Sequence, residues 1–379
     1  MTDAVQEPQP APGPGGREPA GRPSRSADAH GIPRRRVRWA LAAGLLVLSP
    51  VGAEYLVGYD TSTGGPAALL AGLLFFVPLY GAPALLLREV AVRAGLRWPG
   101  VLLLATALGV VQAGVVDQSL FSLSYRQIEG WEEAARATLV EPWGVAVGNA
   151  SSFLVGHAVW SFTVPIVLVQ SLRPDAARRP WLRVPGLVVA ALLYAAAALL
   201  VHLDHLETET DHASTGQVAG AWAVAVLLGV AALTLGRRVA PRRSGRVPPV
   251  GVLAGAGLAG GLLVTLSGET WAGVAVTAAG LVAAGLALRR WARTEGWAGR
   301  HVAAVAAGAL VARAAVGFLV APLGDVPAGP KYAHNAVAVL GSAALGWWAV
   351  RRSGRSGDPW DGERRAGGDD FARSRRSTP

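Results

Sequence analysis

Five side chains that hydrocarbon does not tolerate lie inside or at the ends of long apolar runs of this sequence: Glu54, Gln112, Asp117, His157 and Arg313. An arginine near the middle of a bilayer costs from about 3 to above 10 kcal/mol unless it is paired or hydrated. It therefore calls for an anion, and the sequence offers two. With a helical rise of about 1.5 Å per residue, Arg313 in AGALVARAAVGFLV lies about 18 Å from the inner end of its run. Gln112 and His157 fall near that depth, and Glu54 and Asp117 about 7 Å further out, a distance that an arginine can snorkel. The expected arrangement is Arg313 paired with Asp117 or Glu54, with Gln112 and His157 beside them, in a polar cavity open to the outer side. The purely structural alternative is an ion pair that locks the ninth run to the first and third.

Two further sets carry chemistry. In FLVGHAVWSFTVP (153–165), Phe153, His157 and Ser161 are spaced four apart and share one helical face. Pro165 leaves the carbonyl of Ser161 without its usual donor. HLDHLETETDH (202–212) packs three histidines with four acids. His202 and His205 stand one turn apart with Asp204 between them, and with His212 they form a set of the types that hold a divalent metal. An ordinary acidic loop gives the same composition.

The elements that must position these groups follow from composition. Hydrophobic residues make up 52% of the 379, charged residues 16%, and mean hydropathy is +0.37; a soluble domain would carry roughly a quarter charged residues. Apolar runs of about 20 residues, the length that crosses a bilayer, recur at 38–58, 66–87, 100–121, 148–171, 186–203, 217–236, 249–267, 271–288, 301–321 and 333–350. The reading is an all-α polytopic bundle of about ten transmembrane helices in a bacterial plasma membrane. Arginines fill alternate loops (Arg88, Arg93, Arg97; Arg173 to Arg183; Arg237 to Arg246; Arg289 to Arg300), while the intervening loops hold acids such as Glu129, Glu132, Glu207 and Asp211. By the positive-inside rule both termini are cytoplasmic. The net charge of +10 then faces anionic lipid headgroups and not nucleic acid. Segments 1–37 and 351–379 are rich in Pro, Gly, Ser and Arg and poor in large apolar residues, a composition that leaves them disordered. The first run admits a second reading, a signal peptide cleaved near SPVGA. The absence of cysteine excludes disulfides and thiolate chemistry. No Walker motif or dinucleotide fingerprint is evident, so no cofactor is expected.

The halves differ. Runs one to four contain Pro50, Pro78, Pro83 and Pro165, whereas runs six to eight are nearly pure Ala, Val, Leu and Gly. Small-residue faces at Gly251, Gly255, Gly257 and Gly261 predict close helix packing. The loop at 122–147 predicts a short surface helix anchored by Trp131 and Trp143 and stopped at Pro142.

Arg88-Glu89-Val-Ala-Val-Arg93 and the pair Phe153/His157 resemble two motifs of the CPBP family, the intramembrane metalloproteases related to CAAX prenyl endopeptidases. The resemblance implies that Glu89 activates water and that His157 binds metal. The sequence departs from the pattern where Arg88 replaces the first glutamate and where no third motif of histidine with asparagine four later follows. Glu89 and His157 also differ by about 15 Å in depth. The wider pattern, EYLVGYDTSTG with GLRWPGVLLLATALGVVQAGVVDQSLF and GHAVWS, is similar to uncharacterised multi-pass proteins of actinobacteria. Ten spans would also suit two five-helix halves of opposite orientation, as in secondary transporters. The functional expectation is a permease for a small solute or lipid component. The alternatives are a membrane-embedded metal-dependent hydrolase and a non-catalytic accessory protein.

Overall fold

The computed structural model describes residues 35–238 and 241–355; of the tails expected at 1–37 and 351–379, residues 1–34 and 356–379 lie outside the described residues, while 35–37 and 351–355 are helical. In chain order the helices are α1 (Arg35–Tyr55), α2 (Pro66–Arg93), α3 (Trp98–Val116), α4 (Trp131–Ala137), α5 (Val147–Leu172), α6 (Val184–Thr208), α7 (Thr215–Leu235), α8 (Val250–Leu266), α9 (Trp271–Ala292), α10 (Gly299–Val316) and α11 (Ala328–Arg355). Eight of these are long and apolar enough to cross a membrane. Of the rest, α8 is shorter at 17 residues, α11 runs for 28 but is diluted by His334, Asn335 and glycines, and α4 is a loop helix. All ten apolar runs are thus helical. The molecule is an all-α polytopic membrane bundle.

Loop contacts follow the alternation of charge. At the arginine-rich end the Arg97 N–H donates to the Gly236 carbonyl at 2.8 Å, Arg243 bonds the backbone of Arg293 and Glu295, and the Ser353 hydroxyl reaches the Ser171 carbonyl at 3.2 Å. At the arginine-poor end the Ala213 N–H donates to the Gln118 side chain at 2.6 Å, and the Leu323 N–H to the Tyr59 carbonyl at 2.7 Å.

Helices α1, α2, α3 and α5 enclose one core around Leu45, Leu85, Ala105, Phe162 and Ile166, and α10 joins through Leu168, Ala303 and Leu310. Helix α7 lies on α3, α6 on α2, and both α8 and α11 on α10. Leu192, Val226 and Val282 leave the outer faces of α6, α7 and α9 apolar and exposed, the surface that lipid covers. Of the predicted glycine faces, Gly257 and Gly261 pack on α10, where a Cβ on Gly257 would run into the Val305 carbonyl, while Gly251 and Gly255 meet nothing. Gly308 on α10 completes the close approach against Ala254. The loop at 117–147 differs from expectation. Helix α4 ends at Ala137, and the chain then forms a two-residue antiparallel ladder, β1 (Leu139–Val140) with β2 (Val145–Ala146), before Pro142 can act as a helix stop.

The segment expected as a basic inner loop, Arg88 to Arg93, is instead the end of α2 and holds an ion-pair clamp. Arg88 and Glu89 are fully buried. The Glu89 carboxylate accepts from Arg88 and Arg93 and from the N–H groups of Trp181 and Leu182 at 2.8 and 3.3 Å. The other arm of Arg88 donates to the Ala177 and Arg179 carbonyls at 2.8 and 2.7 Å, and its guanidinium lies 3.7 Å from the Trp181 ring centroid. Residues 174–183, which have almost no regular structure to satisfy their backbone, are held by these two side chains. Removing one partner of a buried pair leaves an uncompensated charge, at a cost of about 3–5 kcal/mol. Glu89→Ala is therefore expected to lose stability on that scale in denaturant unfolding of detergent-solubilised protein. Arg93→Gln, whose side chain is partly exposed, is expected to lose clearly less. Equal losses would refute the clamp.

Candidate functional site

Each of the four core helices contains a π-helical turn. They fall at Val51–Tyr55 in α1, Val77–Gly81 in α2, Gln112–Val116 in α3 and Gly156–Thr163 in α5. The wide bonds that define them run from the N–H of Leu56 to Val51, Ala82 to Val77, Asp117 to Gln112 and Val164 to Val159. Such turns insert one residue into the helical register and recur at functional sites. Here they carry Glu54, Tyr80, Gln112 and His157, four of the polar groups that the bundle buries.

The turns also free backbone carbonyls, and side chains take them up. The Ser49 hydroxyl, fully buried, lies 2.9 Å from the Tyr80 carbonyl and 2.5 Å from that of Ser161, the group that Pro165 was expected to orphan. Nη2 of Arg313 reaches the Ala53 carbonyl at 3.4 Å, and Nε2 of His334 the Tyr55 carbonyl at 2.7 Å. Trp160 Nε1 donates to the Ala309 carbonyl of α10 at 2.9 Å.

Around this frame a polar cluster forms. The Tyr59 hydroxyl donates to Glu54, which is 8% exposed. Burial and the Glu54 charge push the Tyr59 phenol well up, so it remains a donor. Glu54 also acts electrostatically on Tyr80, Arg313 and Asp117. The charge of Asp117 falls on Tyr80, Tyr125 and Tyr194, and burial with that charge raises the Tyr125 phenol in turn. The His157 ring stands between Tyr80 and Phe162 at centroid distances of 6.0 and 6.3 Å, with Nδ1 3.4 Å from the Ser161 hydroxyl and a buried Nε2 that has no partner. Arg313 lies with its guanidinium carbon 5.0 Å from the Trp160 ring centroid, and its Nε is likewise buried and unpartnered. Tyr59, 36% exposed, marks the way out toward the arginine-poor end.

Several expectations need correction. Arg313 forms no direct ion pair with Glu54 or Asp117 among the described residues; its contacts are a carbonyl, an aromatic face and the field of Glu54. It is also not at mid-helix, because α10 ends at Val316, where Asn335 Nδ2 donates to the Gly317 carbonyl at 2.9 Å. That shortening brings Arg313 within one turn of the end and lowers its cost. Gln112 belongs to the α3–α6 contact, accepting from the Tyr194 hydroxyl at 2.8 Å. Asp117 Oδ1 accepts from the Ser119 N–H at 3.0 Å. His202, Asp204, His205 and His212 are not gathered as ligands, and no group of three or more His, Cys, Asp or Glu among the described residues is placed to hold a metal. His205 and His212 pack edge to face at 5.6 Å, Asp204 faces Arg126 at 3.9 Å, and Glu209 and Asp211 accept backbone N–H groups of residues 123–126. The acids of that stretch therefore fasten the loop after α3. Glu89 is consumed by the clamp at the other end of the bundle. Trp131, expected on the membrane surface, turns inward: its Nε1 donates to the Ser122 carbonyl at 3.0 Å, and its ring packs on Tyr125 and Phe153.

The tyrosines were the residues missed. The chain has six; Tyr59 bonds Glu54, Tyr80 stacks on His157, Tyr125 packs on Phe153 and Tyr194 bonds Gln112. Their scarcity was the available signal.

The helical bundle with a buried polar cluster defines a polytopic membrane protein. Over residues 44–339, more than three quarters of the chain, the sequence matches the model of an uncharacterized membrane protein family. The chain belongs to that family. No curated protein and no solved structure matches it, and nothing found supports the resemblance to intramembrane metalloproteases.

Ser49 offers a direct test of the frame. Leaving buried carbonyls unmet costs about 1–3 kcal/mol. Ser49→Ala is expected to lower unfolding stability in detergent by that amount, and an unchanged value would show that the two carbonyls do not depend on the hydroxyl.

Proposed function

We propose that the protein is a permease for a small solute or lipid component that presents an anionic group, a carboxylate or a phosphate, to Arg313. One observation carries this reading: a guanidinium packed among the core helices whose charge no direct ion pair takes up among the described residues. A buried charge is retained only where something hydrates or neutralises it, and a guanidinium fork suits an oxyanion. The unpartnered Nε2 of His157 supplies a second polar contact in the same cluster. Glu54, held by Tyr59, supplies a negative neighbour that would keep Arg313 from binding its ligand irreversibly.

The solute enters from the arginine-poor end, past Tyr59 and the loop after α3. In the orientation that the positive-inside rule gives, that end faces outward and both termini lie in the cytoplasm. The π-helical turns support a moving element, since they lie in the four helices that surround the cluster and are already a departure from regular bonding. A hydrolase reading has no comparable observation behind it.

The experiment is transport in proteoliposomes, read as transient currents on a supported membrane against a panel of small carboxylates and phosphate esters. Wild-type protein is expected to respond to at least one member. Arg313→Met, which keeps the packing volume on Trp160, is expected to fold normally and to lose at least tenfold of that response. A folded Arg313→Met variant with wild-type currents would end the proposal. Loss of the folded protein would make Arg313 a staple between α10 and α1.

A further inference from the structure

The loop between α3 and α4 stores backbone strain. Among the described residues three that are not glycine have a left-handed backbone, Gln118, Arg126 and Gln127 at φ of 54°, 51° and 50°, and all three lie in this loop. None is one of the short polar residue types that tolerate that conformation, so each position is strained. Such strain persists only where the surroundings over-determine the backbone, and it recurs at switch regions. The strained positions flank the loop, with Gln118 just after α3 and Arg126 and Gln127 shortly before α4. Gly130, at φ 76°, completes the second end.

The connection after α6 supplies the restraint. One oxygen, Oδ2 of Asp211, accepts from the Leu123 N–H at 2.5 Å, the Ser124 N–H at 3.2 Å and the Ser122 hydroxyl at 3.4 Å. Oε1 of Glu209 accepts from the Arg126 N–H at 2.9 Å, and Oε1 of Gln118 from the Ala213 N–H at 2.6 Å. Bonds to a carboxylate are roughly twice as strong as neutral ones. The segment held in this way covers the polar cluster. Tyr125 packs on Phe153 with ring centroids 6.1 Å apart, and Phe153 lies 6.5 Å from the His157 ring. Trp131 of α4 packs on Phe153 at 5.8 Å and bonds the Ser122 carbonyl, which ties α4 to the same segment.

We infer that residues 118–130 form a lid on the His157 side of the cluster, hinged at its left-handed residues and latched shut by Asp211 and Glu209. Release of the latch lets Gln118, Arg126 and Gln127 relax to ordinary backbone. Tyr125 then lifts from Phe153, and a path opens from the arginine-poor end to His157. A hinge needs only a few residues that absorb the change in φ and ψ. Two carboxylates carry most of the closure, so losing their bonds shifts the open population by about tenfold or more. The lid rests on the permease reading for its purpose, as the gate at the solute entrance, while the closure itself rests on the contacts above.

The chain has no cysteine, so one introduced thiol reports access to the cluster. In the full chain purified in detergent, Ser161→Cys places a thiol beside His157, at a position 2% exposed. Ala84→Cys, at a fully buried core position, is the control. The readout is the rate of labelling by a charged methanethiosulfonate reagent with no solute present. Adding Glu209→Ala/Asp211→Ala is expected to raise the Ser161→Cys rate about tenfold or more and to leave the Ala84→Cys rate unchanged. If that background fails to fold, Tyr125→Ala, which keeps the latch and removes the ring on Phe153, is expected to give the same rise. The inference is overturned if the folded variant labels at the parent rate, or if both thiols speed up together, which is a general loosening of the bundle. Labelling is read without solute, so a failed transport panel leaves the lid standing, and a failed lid leaves the transport result as it was.

Discussion

Backbone carbonyls that a helix cannot satisfy by itself are the constraint on which this bundle depends. In hydrocarbon no water stands by to accept the deficit, so a crossing helix may loosen its bonding only where a neighbour makes it good. Helices α1, α2, α3 and α5 each loosen by one π-helical turn. The compensating donors come from across the packing interfaces, with Ser49 between α1, α2 and α5, Arg313 from α10 and His334 from α11. The helices that loosen are therefore the ones enclosed by others. Helices α6, α7 and α9, which lie against lipid, contain no such turn.

The same logic separates the two ends. At the arginine-rich end the buried charges are matched, since Glu89 accepts from two guanidinium groups and two backbone amides, and the loop 174–183 closes over them. At the arginine-poor end they are not. Glu54 is bound by a neutral phenol, Arg313 by a carbonyl and an aromatic face, and His157 keeps one nitrogen empty. A matched network holds a shape. An unmatched one is kept at some cost in stability, and that cost is what makes the cluster the candidate for function.

Much of the candidate site was visible in the residue types. Glu54, His157 and Arg313 stand out because an apolar run has no other use for them, and the structure places all three around Trp160 and Tyr80. The pairing between them was not visible. A π-helical turn adds a residue and so advances every later side chain by about 100° around the axis. Depth counted from helix rise says nothing of direction around the axis, so it could not show that Gln112 meets Tyr194 of α6. Asp204 resembled a ligand because composition cannot show that it faces Arg126, nor that Glu209 and Asp211 are taken up by the backbone of residues 123–126.

The sequence by itself determined the helical class, the positions of the ten apolar runs and the segregation of arginine to alternate loops. These are local quantities: the transfer of about 20 residues from water to lipid and the charge beside each run do not depend on which helix is the neighbour. Only the tertiary structure decided where those helices stop, which of them widen, that Arg88 and Glu89 are a buried clamp, and that Tyr80 and Phe162 flank His157. The bonds that fasten them join distant residues, as Arg88 does with the Arg179 carbonyl and Asn335 with that of Gly317, and their energy exists only once both partners have been packed out of reach of water.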